Sequence, residues 1–198
     1  MTHYYSESQD DTKSNETPVE VTFCDRTFTF LSDHGVFSKG RIDQGTRTLI
    51  ENVEVKPGAK VLDLGCGYGV IGITVAACKH ANVTMSDVNE RAIDLTRRNA
   101  DANGVNVNIV KSYGLDKVDG FFDVIISNPP IRIGKARLYA MYKDVYEALN
   151  DGGIFWLVIR KKQGAQSAAK YLETMFDVNI VKKHKGYHVM ACKKTLTS

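Results

Sequence analysis

KVLDLGCGYGVIGITVAAC, Lys60 to Cys78, is the stretch that decides the fold. KVLDL (Lys60–Leu64) is a short apolar run of strand type, and Gly65, Gly67 and Gly69 end it. Val70–Cys78 continues as an apolar helix. A buried strand that passes through a glycine turn straight into a helix is the first half of a βαβ unit. Glycine in such a turn permits positive φ and lets the backbone approach a ligand closely. The helix that follows presents unpaired N–H groups and the positive end of its dipole to the same place.

The alternation continues toward the C-terminus. NVTMSDV (Asn82–Val88) reads as a second strand, and Asn89 caps a helix reaching about Asn103. Asn106–Ser112 is a third strand and FDVIIS (Phe122–Ser127) a fourth, whose unbroken apolar run suits a sheet covered on both faces. Ala136–Leu149 is helical, with Leu138, Met141, Val145 and Leu149 on one stripe. Asp151-Gly152-Gly153 predicts a turn into a fifth strand, Ile154–Ile159, and Gln166–Phe176 predicts a helix. Val178–Lys182 and Tyr187–Cys192 close the chain as an antiparallel pair around Lys185–Gly186. Regular alternation of this kind implies an α/β fold with a mostly parallel sheet and right-handed crossovers. Its ligand binds outside the carboxyl ends of the strands, at the switch in strand order.

Toward the N-terminus, Asp43 is placed to cap a helix over Gln44–Asn52, and Ser32–Gly40 is a loop. Val19–Cys24 and Thr27–Leu31 alternate across Asp25–Arg26 as a β-hairpin. Residues 1–17 lack periodicity and read as a mobile tail, with Tyr4 and Tyr5 as its docking candidates. The expected organisation is this tail and one domain over 18–198, in which 18–45 form a hairpin and lid extension.

A chain of 198 residues, 43% of them apolar, is large enough to hold one core without a metal or a disulfide. No apolar run approaches the roughly 20 residues that span a bilayer. The polar, acidic N-terminus does not fit a signal peptide, so a cytoplasmic location is expected. The four cysteines, Cys24, Cys66, Cys78 and Cys192, have neither CxxC nor metal-ligand spacing, which predicts free thiols and no metal. The net charge of +3 says less than its distribution. Arg132, Lys135 and Arg137 follow the fourth strand, and Arg160, Lys161 and Lys162 the fifth. Lys182, Lys183, Lys185, Lys193 and Lys194 crowd the C-terminal end. Basic clusters at strand ends beside a candidate site point to an anionic partner such as RNA.

Two motifs carry the chemistry. Gly67, Gly69 and Gly72 match the G-x-G-x-x-G spacing of dinucleotide sites, and Asp87 lies where a ribose-binding acid belongs. Asp63 places a further carboxylate where it can accept from a ligand ammonium. By themselves these residues fit NAD and S-adenosylmethionine equally, since both carry an adenosyl ribose. SNPPI (Ser127–Ile131) separates the two. Two consecutive prolines after a buried strand make a stiff loop with free carbonyls, and Asn128 adds a side-chain acceptor. Rigid acceptors can bind both hydrogens of an exocyclic amine and aim its lone pair at a methyl donor. A nicotinamide-dependent reductase has no use for such a loop. His34 reads as a loop residue, Cys66 as a small member of the glycine turn, Trp156 as core, and His184 and His188 as solvent-facing.

FLSDHGVFSKGRIDQGT (Phe30–Thr46), VLDLGCGYGVIG (Val61–Gly72), SDVNERAI (Ser86–Ile93) and IISNPPIRIGK (Ile125–Lys135) together resemble the class I S-adenosylmethionine-dependent methyltransferases. Within them the chain is similar to the methyltransferase small domain group of ribosomal RNA guanine-N2 methyltransferases. The resemblance implies a seven-stranded sheet of order 3-2-1-4-5-7-6 with strand seven antiparallel. It implies that Asp63, Gly65, Gly67 and Gly69 line the methionine end of S-adenosylmethionine, Asp87 holds the ribose, and Val88 and Ser112 lie by the adenine. It assigns Asn128, Pro129 and Pro130 to the target amine, and Phe37, Asp43, Gln44 and Gly45 to a lid or cofactor wall. Ile131, Arg132, Lys135 and Phe37 are the candidate substrate contacts, and ribosomal RNA the implied partner.

Two departures bear on the acceptor. Many amino-methyltransferases carry an aromatic residue after NPP, where this chain has Ile131, which disfavours adenine-type targets. The two-domain members carry an N-terminal half not present here, so substrate selection is expected to rest on the hairpin, the tail or a partner. A protein glutamine or a small molecule is the alternative acceptor, because a planar amide fits the same loop.

Overall fold

A computed structural model describes residues 14–33 and 41–195. The expectations for the tail before residue 14, for His34 and for Phe37 lie outside the described residues.

The hairpin forms from β1 (Thr17–Phe23) and β2 (Arg26–Ser32). Period-two alternation puts Val19, Val21, Phe23, Phe28 and Phe30 inside. Helix α1 (Gln44–Asn52) starts where Asp43 accepts a hydrogen bond from the Thr46 N–H at 3.0 Å. Then come β3 (Lys60–Leu64), α2 (Val70–Lys79), β4 (Asn82–Asp87) and α3 (Glu90–Ala102), the last capped by the Asn89 side chain. They are followed by β5 (Asn108–Lys111), β6 (Phe122–Ser127), α4 (Lys135–Ala148), β7 (Leu149–Arg160), α5 (Ala165–Leu172), β8 (Phe176–His184) and β9 (Tyr187–Lys194).

The seven strands from β3 onward form one sheet of order β5-β4-β3-β6-β7-β9-β8, with β9 antiparallel to both neighbours. This is the 3-2-1-4-5-7-6 order expected. Strand parity divides the core into two layers. Val61, Met85, Ile126, Trp156, Val158 and Val189 face α1, α2, α3 and the hairpin, whereas Leu62, Ile125, Phe155, Leu157 and Met190 face α4 and α5. The hairpin is tied to α3 by two asparagines. Asn99 exchanges hydrogen bonds with the Leu31 backbone and donates to the Tyr68 carbonyl, while Asn103 exchanges hydrogen bonds with the Thr29 backbone.

Four expectations are corrected. No turn separates α4 from β7. The strand starts at Leu149 and runs through Asp151-Gly152-Gly153 as an irregularity, with Gly152 at φ 73° and the pairing to β6 shifted between Phe122 and Val124. A glycine pair inside a strand marks a bulge as readily as a turn. Helix α5 ends at Leu172, so that Phe176 opens β8. Cys24 and Cys78 form a disulfide, with Cα atoms 6.0 Å apart, and only Cys66 and Cys192 are free. The two half-cystines are 54 residues apart and meet because the hairpin turn folds over the end of α2, which local spacing does not reveal. Finally, the C-terminal lysines are not one cluster. Lys182, Lys183 and Lys185 lie at the carboxyl end of the parallel strands, whereas Lys193 and Lys194 pair with Ile154 and Phe176 at the opposite end. There Lys194 caps α4, donating to the carbonyls of Tyr146 and Leu149.

Candidate functional site

A cavity of about 580 Å³ opens at the carboxyl ends of β3, β4, β6 and β7. It lies within the roughly 300–1,000 Å³ usual for small-molecule sites. One side is walled by Gly65, Cys66, Gly67, Tyr68, Val70 and Ile71 of the glycine turn, with Asp87, Val88, Asn89 and Ala92. The other side is walled by Asn128–Ile133, Val158–Arg160, Gln163 and Tyr187, together with Asp43 and Thr46, which bond to Asn128 and Tyr187.

The glycine turn is shaped from below. Gly65, Gly67 and Gly69 all have positive φ, at 73°, 57° and 101°. Gly72 lets α2 pack on β4, since a Cβ there would come within 2.6–2.8 Å of three Met85 side-chain atoms. Thr96 of α3 donates to the Gly67 carbonyl at 2.9 Å. Asp87 accepts from the Gly67 N–H through Oδ2 and from the Asn89 N–H through Oδ1, both at 2.9 Å. Burial is the main cause of its raised pKa, and these N–H donors oppose the rise. Burial, with the nearby Asp87 and Asp63 carboxyls, pushes the Cys66 thiol pKa well above its ordinary value.

Asp63 is fully buried behind the turn and does not line the cavity. Its Oδ2 accepts from the Gly72 N–H at 2.8 Å, in the first turn of α2, and its Oδ1 is buried with no partner among the described residues. Desolvation raises its pKa to about 7. Because the folded value lies above the unfolded one, this carboxyl weakens the fold progressively as pH rises from about 4 through about 7. Asp63→Asn keeps an acceptor for Gly72 and cannot ionise. Denaturant unfolding should therefore show the variant gaining on the wild type by about 2–4 kcal/mol across that pH range. A stability difference that is flat with pH would disprove an ionising Asp63.

On the other side, Ser127 at the close of β6 donates to the Leu64 carbonyl at 2.8 Å and fixes where the proline loop leaves the sheet. The Asn128 amide nitrogen donates to Thr46 Oγ1 at 3.0 Å and to Asp43 Oδ2 at 3.3 Å. The Pro130 carbonyl is taken by the Ile133 N–H in a 3-10 turn over Ile131–Ile133. Tyr187, the first residue of β9, donates through its hydroxyl to Asp43 Oδ1 at 2.9 Å, and the Arg160 guanidinium lies 4.7 Å from its ring centroid.

The residues singled out in the sequence thus separate into two groups. Gly65, Gly67, Asp87, Val88, Asn128, Pro129, Pro130, Ile131 and Arg132 share the cavity wall. Asp63, Gly69, Gln44, Ser112 and Lys135 do not. Ser112 accepts from the Lys117 N–H, Gln44 from Lys185, and Lys135 lies over the Tyr139 ring. Sequence reasoning does not single out Thr46 or Tyr187. Thr46 is findable as the residue whose N–H the Asp43 cap must accept. Tyr187 is findable only through strand order, which brings the start of β9 beside the end of β7.

The family model for the methyltransferase small domain matches residues 27–191. The chain is 46% identical to the uncharacterized protein YbxB of Bacillus subtilis, over 97% of this chain and 98% of that one. It is 33% identical to the ribosomal RNA small subunit methyltransferase C of Pseudomonas syringae, over 88% of this chain, and spans about half (51%) of that relative's length. Among solved structures it is similar to the 16S rRNA N2 methyltransferase of Thermus thermophilus in complex with AdoMet and guanosine, with TM-score 0.79 and 25% identity, covering 90% of this chain and 50% of that one. A methyltransferase from Pyrococcus furiosus aligns with TM-score 0.67 and 26% identity, covering 76% and 82%. A family match over most of the chain, and a cavity joining the glycine turn to the proline loop, lead to one conclusion: the chain belongs to the methyltransferase small domain family.

Proposed function

We propose that this protein transfers the methyl group of S-adenosylmethionine to an exocyclic amine, N2 of a guanine in ribosomal RNA, by direct in-line displacement. The observation that carries the reading is the shared cavity, in which the Gly65–Gly67 turn and Asp87 face the Asn128–Pro130 loop. The residues present suit the cofactor. Asp87 offers a carboxylate to a ribose, Val88 and Ala92 offer an apolar wall to a base, and the glycine turn leaves room for the methionine end. Bound there, S-adenosylmethionine supplies an electrophilic methyl on a good leaving group. The Asn128 Oδ1 and the Pro129 carbonyl then accept the two amine hydrogens and aim the nitrogen lone pair. No side chain need take the proton before transfer, since the methylated nitrogen sheds it to solvent. Ile131 gives the acceptor an aliphatic neighbour where an aromatic ring would stack.

The rim of the site favours RNA as acceptor. Arg132, Arg160, Lys161, Lys162, Lys183 and Lys185 are exposed around the carboxyl ends of β6, β7 and β8. None of them makes an ion pair with a described residue. Binding to phosphate through such cations releases counterions and is steeply salt-dependent. The combined change Lys161→Glu, Lys162→Glu and Lys185→Glu should weaken RNA binding and flatten the plot of log affinity against log salt by about 0.7–0.9 per lost phosphate contact. A substrate affinity indifferent to salt would favour the glutamine or small-molecule acceptor instead. The direct test is nucleoside mapping by mass spectrometry. Ribosomal RNA from a deletion strain should lack one N2-methylguanosine, and purified protein with S-adenosylmethionine should restore it. Ribosomal RNA with an unchanged modification pattern would refute the assignment.

A further inference from the structure

We propose that Asp43 is a positioning residue for methyl transfer. With Thr46 it takes both N–H groups of the Asn128 amide and so fixes the Asn128 carbonyl oxygen as the acceptor for the incoming amine. The inference rests on the reading that Asn128 receives that amine.

A free asparagine side chain can rotate and exchange its oxygen for its nitrogen. If the NH2 group faced the target amine, donor would meet donor and the nitrogen lone pair could not be aimed. Asp43 removes that option, because a carboxylate only accepts. Its Oδ2 lies 3.3 Å from the Asn128 nitrogen, so the amide nitrogen must face it, and Thr46 Oγ1 holds the other N–H at 3.0 Å. The Asn128 oxygen is left for the cavity.

Capping α1 does not account for this arrangement. The cap needs one acceptor, which Asp43 Oδ2 gives to the Thr46 N–H. Serine or asparagine would cap about as well. The second oxygen is held by the Tyr187 hydroxyl at 2.9 Å, and Tyr187 is itself buried, with Arg160 over its ring. Gly45 makes room for the contact. A Cβ there would lie 2.6 Å from Tyr187 Cε1 and 2.9 Å from Asp43 Oδ2. Residues from α1, β9 and the loop after β6 thus converge on one carboxylate, whose Oδ2 serves the cap and Asn128 together.

Asp43→Ser and Asp43→Asn, compared with Asn128→Ala, test the proposal. Each is assayed with labelled S-adenosylmethionine and ribosomal RNA from cells lacking the protein. Serine keeps the cap but is too short to reach Asn128. Its kcat should fall on the order of 10–100-fold, as small misplacements of a reacting group do, while Tm drops only by the few degrees that an unpaired Tyr187 hydroxyl costs and calorimetric S-adenosylmethionine affinity stays near wild type. Asparagine keeps an oxygen toward Thr46 and Asn128 and can turn its NH2 to the Tyr187 hydroxyl. It should recover most of the lost rate. On the Asn128→Ala background, Asp43→Ser should cost nothing further. Full kcat in Asp43→Ser would overturn the proposal, and so would a loss that adds fully to that of Asn128→Ala or that only follows cofactor affinity. If Asn128→Ala itself keeps full activity, the functional reading fails first. If Asn128→Ala is inactive and Asp43→Ser is not, only the role of Asp43 fails.

Discussion

Asn128→Ala should lower kcat by two to three orders of magnitude while the protein folds and binds S-adenosylmethionine as before. The size follows from what the side chain does in the proposed reaction. Removing one preorganised hydrogen-bonding group that acts on the reacting centre typically costs about 10²–10³ in rate. The Pro129 carbonyl remains after the substitution, which leaves some orientation of the amine and keeps the loss from being complete. Folding should suffer little. Asp43 keeps its bonds from the Thr46 N–H and from Tyr187, and Thr46 is left with an unpaired hydroxyl at a cost of about 1 kcal/mol. Cofactor affinity should stay within about threefold, since Asn128 and Asp87 stand at the ends of different strands, β6 and β4, with β3 between them. Single-turnover methyl transfer to ribosomal RNA and calorimetry with S-adenosylmethionine measure the two quantities separately. Unchanged turnover would remove the proline loop from the chemistry. Equal losses of turnover and cofactor affinity would make Asn128 part of the cofactor wall.

The parts of this molecule that depend on neighbouring residues are legible in its sequence. Asp43 and Asn89 both cap the helices their positions predict, because capping needs only a side-chain oxygen and the next few N–H groups. The boundaries of β3 and β6 fall where the apolar runs end. The order of the seven strands requires more. Alternation and crossover rules limit it to a few arrangements, and the family resemblance selects one. What local reading misses depends on tertiary contact. The Asn128–Asp43 bond joins residues 85 positions apart, and the Cys24–Cys78 disulfide joins residues 54 apart. Tyr187 looks like any first residue of a strand until β9 is placed beside β7. Asp63 shows the opposite error. Its place at the end of β3 suggests a ligand-facing carboxylate, yet the turn folds over it and commits one of its oxygens to α2. The bulge at Gly152 and the division of the C-terminal lysines between two ends of the sheet likewise follow from pairing register, which composition does not encode.

Asp87→Ala should produce the complementary defect, an S-adenosylmethionine dissociation constant raised about 10²–10³-fold with turnover largely recovered at saturating cofactor. A carboxylate that accepts two ribose hydroxyls makes charge-assisted hydrogen bonds, each worth about 1.5–3 kcal/mol. Part of that is offset because alanine relieves a buried charge, which brings the expected loss to about 3–4 kcal/mol, or two to three decades. Asp87 also holds the Gly67 and Asn89 N–H groups, so its removal loosens the glycine turn and adds to the effect. The pH dependence supplies a second signature. Burial raises the pKa of Asp87, and hydroxyl donors favour the ionised form. Cofactor affinity in the wild type should therefore fall as pH is lowered through that raised pKa, and the slope should vanish in Asp87→Ala. Calorimetric titrations over a series of acidic pH values measure both effects. A dissociation constant within threefold of wild type, or an undiminished pH slope in the variant, would take the ribose away from Asp87 and assign that carboxylate to holding the glycine turn alone.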